Sequence, residues 1–401
     1  MNGHLDEAAL MARPTAEIGR LGSRSMVLGG LGFAMTIAGF LMARETFLQS
    51  YLIAYIFWIG ITLGSLAVLM VQYLSGGAWG LVARRILEAA TRTWPLMALL
   101  FVPIAMNLPS LYVWARPEAA ADKMIAAKMA YLNPQFFWAR AALYFVVWGA
   151  LIVTLNRWSK EQDDSAPLLP GPQDRRARVL SGIGLVLYVL TITLMSVDWV
   201  MSLDPHWYST IFGILTLGGQ GLATMAFTVL VLSKLSRFKP MSDVASAENF
   251  HDLSKLMFAF TLLWAYFTLS QLLITWSANL PEEIPYYMKR FSGPWAPVSV
   301  AVLVGQFIVP FALLLSRSLK RTPAMVGRVA VLVLVMRIVD IALTIGPMVR
   351  PEGAGLHWLD FAAVAGMGLL WLGFFWRNLA SRALVPARDP YFKESFAHGG
   401  H

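Results

Sequence analysis

The chain has no cysteine. This excludes disulfides, thiolate-held iron–sulfur clusters and covalently attached c-type haem in this chain. Charge is also scarce, with Asp, Glu, Lys and Arg making up 14% of 401 residues against 57% hydrophobic ones, at a mean hydropathy of +0.60. That balance excludes an ordinary soluble domain and indicates a polytopic membrane protein. Histidines are few: His4, His206, His251, His357, His398 and His401, none at the centre of an apolar run. Facing axial ligands for membrane-buried haem are therefore missing. There is no Gly-rich phosphate loop, no pair of histidines one turn apart and no hydrolase order of Ser, His and Asp, so no independent enzyme active site is visible. The amino-terminal residues 1–24 are polar, with Arg13, Arg20 and Arg24 and no cleavage site after a short apolar core, and no removable signal peptide is expected.

What is present is a series of long apolar runs. Ten are long enough to cross a bilayer: 25–42, 51–74, 94–113, 135–156, 179–201, 207–232, 251–276, 296–316, 325–349 and 357–377. The expected fold is all-α, with helices one to four over 25–157, a Pro-rich linker over 158–178, helices five to ten over 179–377 and a tail over 378–401. The net charge of +9 would suggest nucleic acid in a soluble chain. Here the basic residues gather in alternate loops and are read as topology determinants, with no nucleic-acid partner. Lys and Arg outside the runs favour the two termini and the loops after even-numbered runs by about three to one, placing both termini in the cytoplasm.

The chain is organised around residues 198–210, Asp-Trp-Val-Met-Ser-Leu-Asp-Pro-His-Trp-Tyr-Ser-Thr, a hairpin tip on the outer side between runs five and six. Asp204 before Pro205 reads as a helix start, and Trp199, Trp207 and Tyr208 as interfacial rings. Asp198, Asp204 and His206 could pass protons, or serve as caps and anchors. A second outer stretch, 270–287, ends run seven at Asn279-Leu280-Pro281 and presents Glu282, Glu283, Tyr286 and Tyr287. It reads as an interfacial loop or as a docking surface for a peripheral partner.

Arg337 and Asp340 lie near the middle of run nine on one helix face. Exposed to lipid, each would cost about 2.5–3.5 kcal/mol, so both must face the bundle interior, as a link in a proton path or as a packing pair. Arg140 and Asp198 lie at similar depth in runs four and five and are expected to pair, since a buried charge demands a countercharge. His251, Asp252 and Lys255 open run seven and fit a snorkelling helix end or a proton inlet. His357 and Asp360 at the start of run ten read as caps and anchors.

Together, 198–210 and 270–287 on a ten-run chain of this length resemble a large membrane-subunit family of bacterial alternative complex III, a quinol oxidase. The resemblance is similar in kind to membrane subunits of polysulfide reductases. It implies two four-helix bundles, runs two to five and six to nine, with runs one and ten peripheral, in the bacterial inner membrane. It implies partners as well: a multihaem cytochrome, an iron–sulfur subunit and a sister membrane subunit. Haem c and iron–sulfur clusters would reside in those partners, with no metal or redox cofactor in this chain. The chain would then be a structural and proton-conducting subunit of a quinol:acceptor oxidoreductase, not an enzyme alone. Asp198, Asp204 and His206 map onto the family motif; Arg337, Asp340 and Arg140 rest on the burial argument. Two other readings stay open: a quinol-binding subunit using Asp204, His206 and Trp207, and a secondary transporter using Arg337 and Asp340.

Overall fold

The computed structural model describes residues 19–30, 32, 44–164, 172–350 and 353–389. Among these residues there is no strand, and helices long and apolar enough to cross a membrane make the chain a multi-pass helical membrane protein. The main helices are α1 (Arg44–Ser75), α2 (Leu81–Thr91), α3 (Trp94–Met106), α4 (Pro134–Asp164), α5 (Pro172–Trp199), α6 (Phe212–Leu235), α7 (Ala247–Ala278), α8 (Ile284–Phe291), α9 (Gly293–Leu315), α10 (Pro323–Val349) and α11 (Trp358–Ala380). Eight of the described helices qualify as spans by length and apolarity, and α2 and α3 together form a bent pair that counts as a ninth only if it crosses as one.

Most of the expected runs are found, several lengthened by a turn or two, although α6 starts five residues later than its run. The first run, 25–42, falls largely outside the described residues; residues 19–30 are helical and lie on α11. Run three differs. The apolar stretch 94–113 is not one helix, because α3 stops at Met106, where Asn107 turns its side chain back to the Pro103 carbonyl at 2.8 Å. Thirteen residues reach about 20 Å, too short for the hydrocarbon core. α2 supplies the rest across a 40° bend at residues 92–93. The expected linker 158–178 also shrinks, since α4 runs to Asp164 and α5 starts at Pro172, and 165–171 lie outside the described residues.

α9 carries a wide turn that hydropathy could not show. Leu303–Ile308 is in π register, immediately before Pro310, which has no N–H and whose ring would collide with the carbonyl four residues back. One extra residue in that turn relieves the collision and keeps backbone groups satisfied, as a lipid environment requires. The turn rotates Gln306 into the interior, where it is fully buried.

α1 is the central helix, buried along almost its whole length and flanked by α5, α6, α10 and α11. Lipid gives helices little hydrophobic reason to associate, so close contact through small residues and cross-helix hydrogen bonds does that work. Gly64 allows the approach of α6: a methyl group there would lie 2.2 Å from Thr224 Oγ1 and 2.8 Å from the Gln220 carbonyl oxygen. On another side, α11 is tied to α1 by Trp371 Nε1 donating to Thr62 Oγ1 at 2.9 Å and Trp58 Nε1 donating to the Val364 carbonyl at 3.0 Å. Expected at the periphery, α11 nonetheless buries Trp371 and Phe375 completely. Val146, Val186 and Val300, each at least 60% exposed, face outward as lipid-facing side chains do.

Gly64→Val should cost about 1–3 kcal/mol through overpacking at the α1–α6 contact, read as a lower unfolding temperature in detergent. Gly30→Ala, with no described atom within 4 Å of the added carbon, should not lower that temperature.

Candidate functional site

At one end of the molecule, α4 begins where Asn133 accepts the Phe136 amide at 2.9 Å and Pro134 occupies the first turn. This start sets Arg140 opposite Asp198, the penultimate residue of α5. The expected pair is in direct contact: Arg140 Nε donates to Asp198 Oδ2 at 2.9 Å and Nη2 to Oδ1 at 3.0 Å. The planar guanidinium suits such a fork. Tyr144, one turn along α4, donates its hydroxyl to Asp198 Oδ2 at 2.7 Å, and Asp198 is buried. The Tyr131 ring covers the Arg140 guanidinium at 3.8 Å. Burial, and then the neighbouring Asp198 carboxylate, push the Tyr131 hydroxyl up to about 12, so it holds its proton at neutral pH.

The next residue corrects an expectation. Trp199 is not an interfacial ring but is fully buried, 4.4 Å from Phe101 and within about 6 Å of Tyr55, Phe145 and Trp148. Its carbonyl accepts the Tyr112 hydroxyl at 3.0 Å. The break after α3 brings Tyr112 there, which is why hydropathy alone misplaced Trp199.

Asp204 and Pro205 do not start a helix either. A turn follows Met201–Leu203, and α6 begins only at Phe212. The Asp204 carboxylate accepts from Lys289 Nζ at 3.1 Å instead, a partner from α8 that competes with backbone amides for the cap. His206 meets Asp122 on the surface at 2.7 Å. The His206 hydrogen bond first, then the Ile125 amide, hold Asp122 below the usual carboxylate range. Asp198, Asp204 and His206 are thus each committed to a different partner.

Trp207 stacks on Tyr286 at 3.9 Å, with the rings 12° apart, and the opposite face of Tyr286 takes the Arg290 guanidinium at 3.3 Å. Both Trp207 and Tyr286 are buried. Trp207 is therefore an internal ring, and of the expected docking residues Tyr286 points inward and Tyr287 is half-buried. Glu282 is exposed and Glu283 half-buried. The amphipathic turn of α8 explains this, since 286, 287 and 290 share its inner face. Burial raises the Tyr286 hydroxyl and lowers the Arg290 guanidinium.

Deeper in the same group of helices, Arg337 and Asp340 pair directly along α10. Two further donors converge on the same carboxylate: Trp264 Nε1 from α7 and Gln306 Nε2 from the π turn of α9, each 3.1 Å from Oδ2. Gly219 of α6 makes room for Arg337, since a methyl group there would lie 2.1 Å from Nη2. Asp340, 17 residues from Pro323, lies about 26 Å along α10. Beside it opens a cavity of about 730 Å³, reaching from Arg337 and Asp340 past Gln271 to Tyr286 and Arg290.

The remaining expected residues stand at helix starts. His251, Asp252 and Lys255 open α7; Lys255 bonds Asp252 at 3.1 Å on the exposed surface. His357 and Asp360 form a capping box for α11. Asp360 is also fully buried, pairing with Arg350 and accepting the Ser50 hydroxyl at 2.6 Å.

The largest charged cluster was missed from the sequence. At the opposite end, Glu88 of α2 is fully buried, bonded to Arg84 at 3.0 Å, Arg85 at 2.8 Å, Ser159 at 2.6 Å and Arg382 at 3.4 Å. Arg84 also reaches Asp389, and Arg85 reaches Asp163. The cluster ties α2 to the end of α4 and to the segment after α11. A signal existed: Glu88 follows Arg84 by four residues and Arg85 by three, a helix-forming pattern in a stretch outside the apolar runs. Among the described residues, no three His, Asp or Glu side chains gather as a metal site would need. No family model matches the chain, and no curated protein matches it.

Asp198→Asn should destabilise the protein by about 3–5 kcal/mol by stranding the Arg140 charge. Replacing both residues by leucine should recover most of that loss, measured by thermal unfolding. Recovery would show that the pair is replaceable for folding; no recovery would make the fork itself essential to it.

Proposed function

We propose that this chain is an integral membrane subunit of a quinol:acceptor oxidoreductase complex of the alternative complex III type, holding no redox metal itself and lending a proton path. The observation carrying this reading is Asp340: a carboxylate buried within a membrane-crossing helix, held by one arginine and two neutral donors, beside a cavity. Leaving a charge at such depth is costly, and ionisable residues there mark proton and ion routes. A buried pair of this kind is a poor way to gain packing stability alone, which favours a functional reading.

A route can be traced on α7. His251, Ser254, Thr261, Trp264, Gln271 and Thr275 recur at spacings of three, four and seven residues, one face of a helix. Ser254 and Thr261 are fully buried, and Trp264 reaches Asp340. Ser254 lies about 15 Å along the axis from Trp264. Ser254 and Thr261 lie seven residues, about 10 Å, apart, so a proton route from the His251 end to Asp340 would run through water between these hydroxyls, beside the Trp264 indole, which only donates. Beyond Asp340, the cavity leads towards Arg290 and the Asp204–Lys289 pair. Loop charges assign the His251 end to the cytoplasm and the Asp204 end to the outer side, where haem- and cluster-bearing partners would dock near Glu282 and Glu283. In this reading α2–α5 and α6–α10 form the two bundles, with α1 joining the first and meeting α6.

Extraction from the native membrane in mild detergent should yield the chain together with covalently bound haem and iron–sulfur signal; isolation alone and colourless would defeat the assignment. In the intact complex reconstituted into vesicles, Asp340→Asn should abolish proton uptake while electron transfer persists at a reduced rate, with Asp340→Glu restoring part of it. Unchanged proton uptake in the assembled Asp340→Asn complex would reduce the site to a structural pair.

A further inference from the structure

Three arginines are buried among the described residues. Arg84 and Arg85 hold carboxylates, whereas Arg290 of α8, 4% exposed, pairs with none of those described. Its Nη atoms donate to the Tyr286 and Thr344 carbonyls, and its Nε has no partner. The acids that act on it electrostatically, Asp204 and Asp340, are held by Lys289 and Arg337. A buried cation met only by neutral groups is costly. A second unanswered group shares its cavity: Gln271 is 4% exposed, and its side-chain amide has no partner at either end. Such orphaned groups are rare in a native fold and call for a partner.

The cavity of about 730 Å³ is of ligand-pocket size and is lined mainly by apolar and aromatic side chains. It is long in the direction of the helices: on α7 its wall runs from Leu262 to Leu272, about 15 Å. At the far end Arg337 and Asp340 answer each other, so the uncompensated charge lies at the α8 end. Access follows from the way α7 and α9 diverge. α7 packs on residues 303–315 of α9, with the Phe258 and Phe311 rings 5.6 Å apart, while residues 296–302 pack on α10. Beside that gap Tyr266 and Leu269 of α7 and Val300 and Leu303 of α9 line the cavity, each more than half exposed. Side chains of this kind on membrane spans face lipid, and an acyl chain can enter between them.

We infer that the cavity binds a long-chain fatty acid, its chain entering between α7 and α9 and its carboxylate accepting from Arg290 Nε and the Gln271 amide. A carboxylate brings a negative charge and two acceptor oxygens, one for each orphaned donor. It stands at the head of its chain, so the chain fills the apolar length of the cavity while the head meets Arg290. The phosphate of a diacyl phospholipid is separated from its chains by glycerol and would bring a second chain with it. A neutral lipid would leave the Arg290 charge unanswered. The inference concerns binding alone and does not rest on the chain's membership of a redox complex.

The test uses the full chain purified in detergent and titrated with a dibrominated stearate, whose bromines quench tryptophan; Trp264 on the cavity wall reports occupancy. Saturable quenching is expected, reversed by palmitate but not by methyl palmitate or dioleoyl phosphatidylglycerol. Arg290→Gln and Gln271→Leu should each weaken the affinity about tenfold or more. Gln72→Leu, at a buried amide outside this cavity, is the control and should bind as the unchanged protein does. Quenching that never saturates would mean partition into the micelle and overturn the proposal. Equal reversal by the methyl ester would show that no anion is recognised, and equal reversal by phosphatidylglycerol that a phospholipid is the occupant; either overturns it, as does unchanged affinity in both variants. Should the variants fail to fold, photolabelling of the unchanged protein with a palmitate carrying a mid-chain diazirine decides: label within 262–272 or 299–307 supports the site, and label confined elsewhere removes it. Failure here leaves the co-purification result untouched, so the two readings fall separately.

Discussion

A charge taken out of water must find a countercharge or a full set of hydrogen bonds, and this demand governs how the helices are placed. The buried carboxylates described here each meet an arginine: Asp198 with Arg140, Asp340 with Arg337, Asp360 with Arg350, and Glu88 with Arg84, Arg85 and Arg382. Three of these sets bridge separate segments. Asp198 joins α5 to α4, Asp360 joins α11 to the end of α10 and through Ser50 to α1, and Glu88 joins α2 to α4 and the segment after α11. Apolar packing in lipid does little to select one helix rotation over another. Directional ion pairs do, because a one-residue rotation would strand two charges at once.

Asp340 and Arg337 stand apart in this scheme. They share one helix and could satisfy each other without help, yet α7 and α9 each add a donor and α6 contributes a glycine to seat the guanidinium. The π turn that delivers Gln306 follows from Pro310, a residue with no obvious link to the site. Local backbone chemistry in α9 thus sets the environment of a carboxylate on α10. The same turn lies beside the cavity, with Leu303 and Phe307 on its wall.

The two ends of the molecule solve different problems. At the Glu88 end, arginines and acids saturate one another and clamp the termini of three segments. At the Asp204 end, contacts are mixed: a surface His206–Asp122 pair, a half-buried Asp204–Lys289 pair, and a stack of Trp207, Tyr286 and Arg290. Tyr286 and Arg290 of the stack line one end of the cavity.

Much of the fold was legible from the chain because hydropathy is a sum over neighbours in sequence, and a membrane span needs little else. The spans α4 to α7 and α9 to α11 each lie where an apolar run was read, with ends differing by up to eight residues, and the helix end at Asn279 was readable; its φ of +50 is a left-handed cap. The Arg140–Asp198 and Arg337–Asp340 pairs were legible for a related reason: depth in an apolar run dictates that a charge be paired, and few partners lie at the same depth. What the sequence by itself determined was therefore where helices run and which charges must be answered. Tertiary structure alone decided which way each face turns. It drew Trp199, Trp207 and Tyr286 inward, ended the third run's helix at Met106 behind a bend from α2, gathered the Glu88 cluster, and buried Gln271 and Gln306. Those outcomes depend on contacts between residues far apart in the chain, where the direction of a side chain is set by its neighbours and not by its own segment.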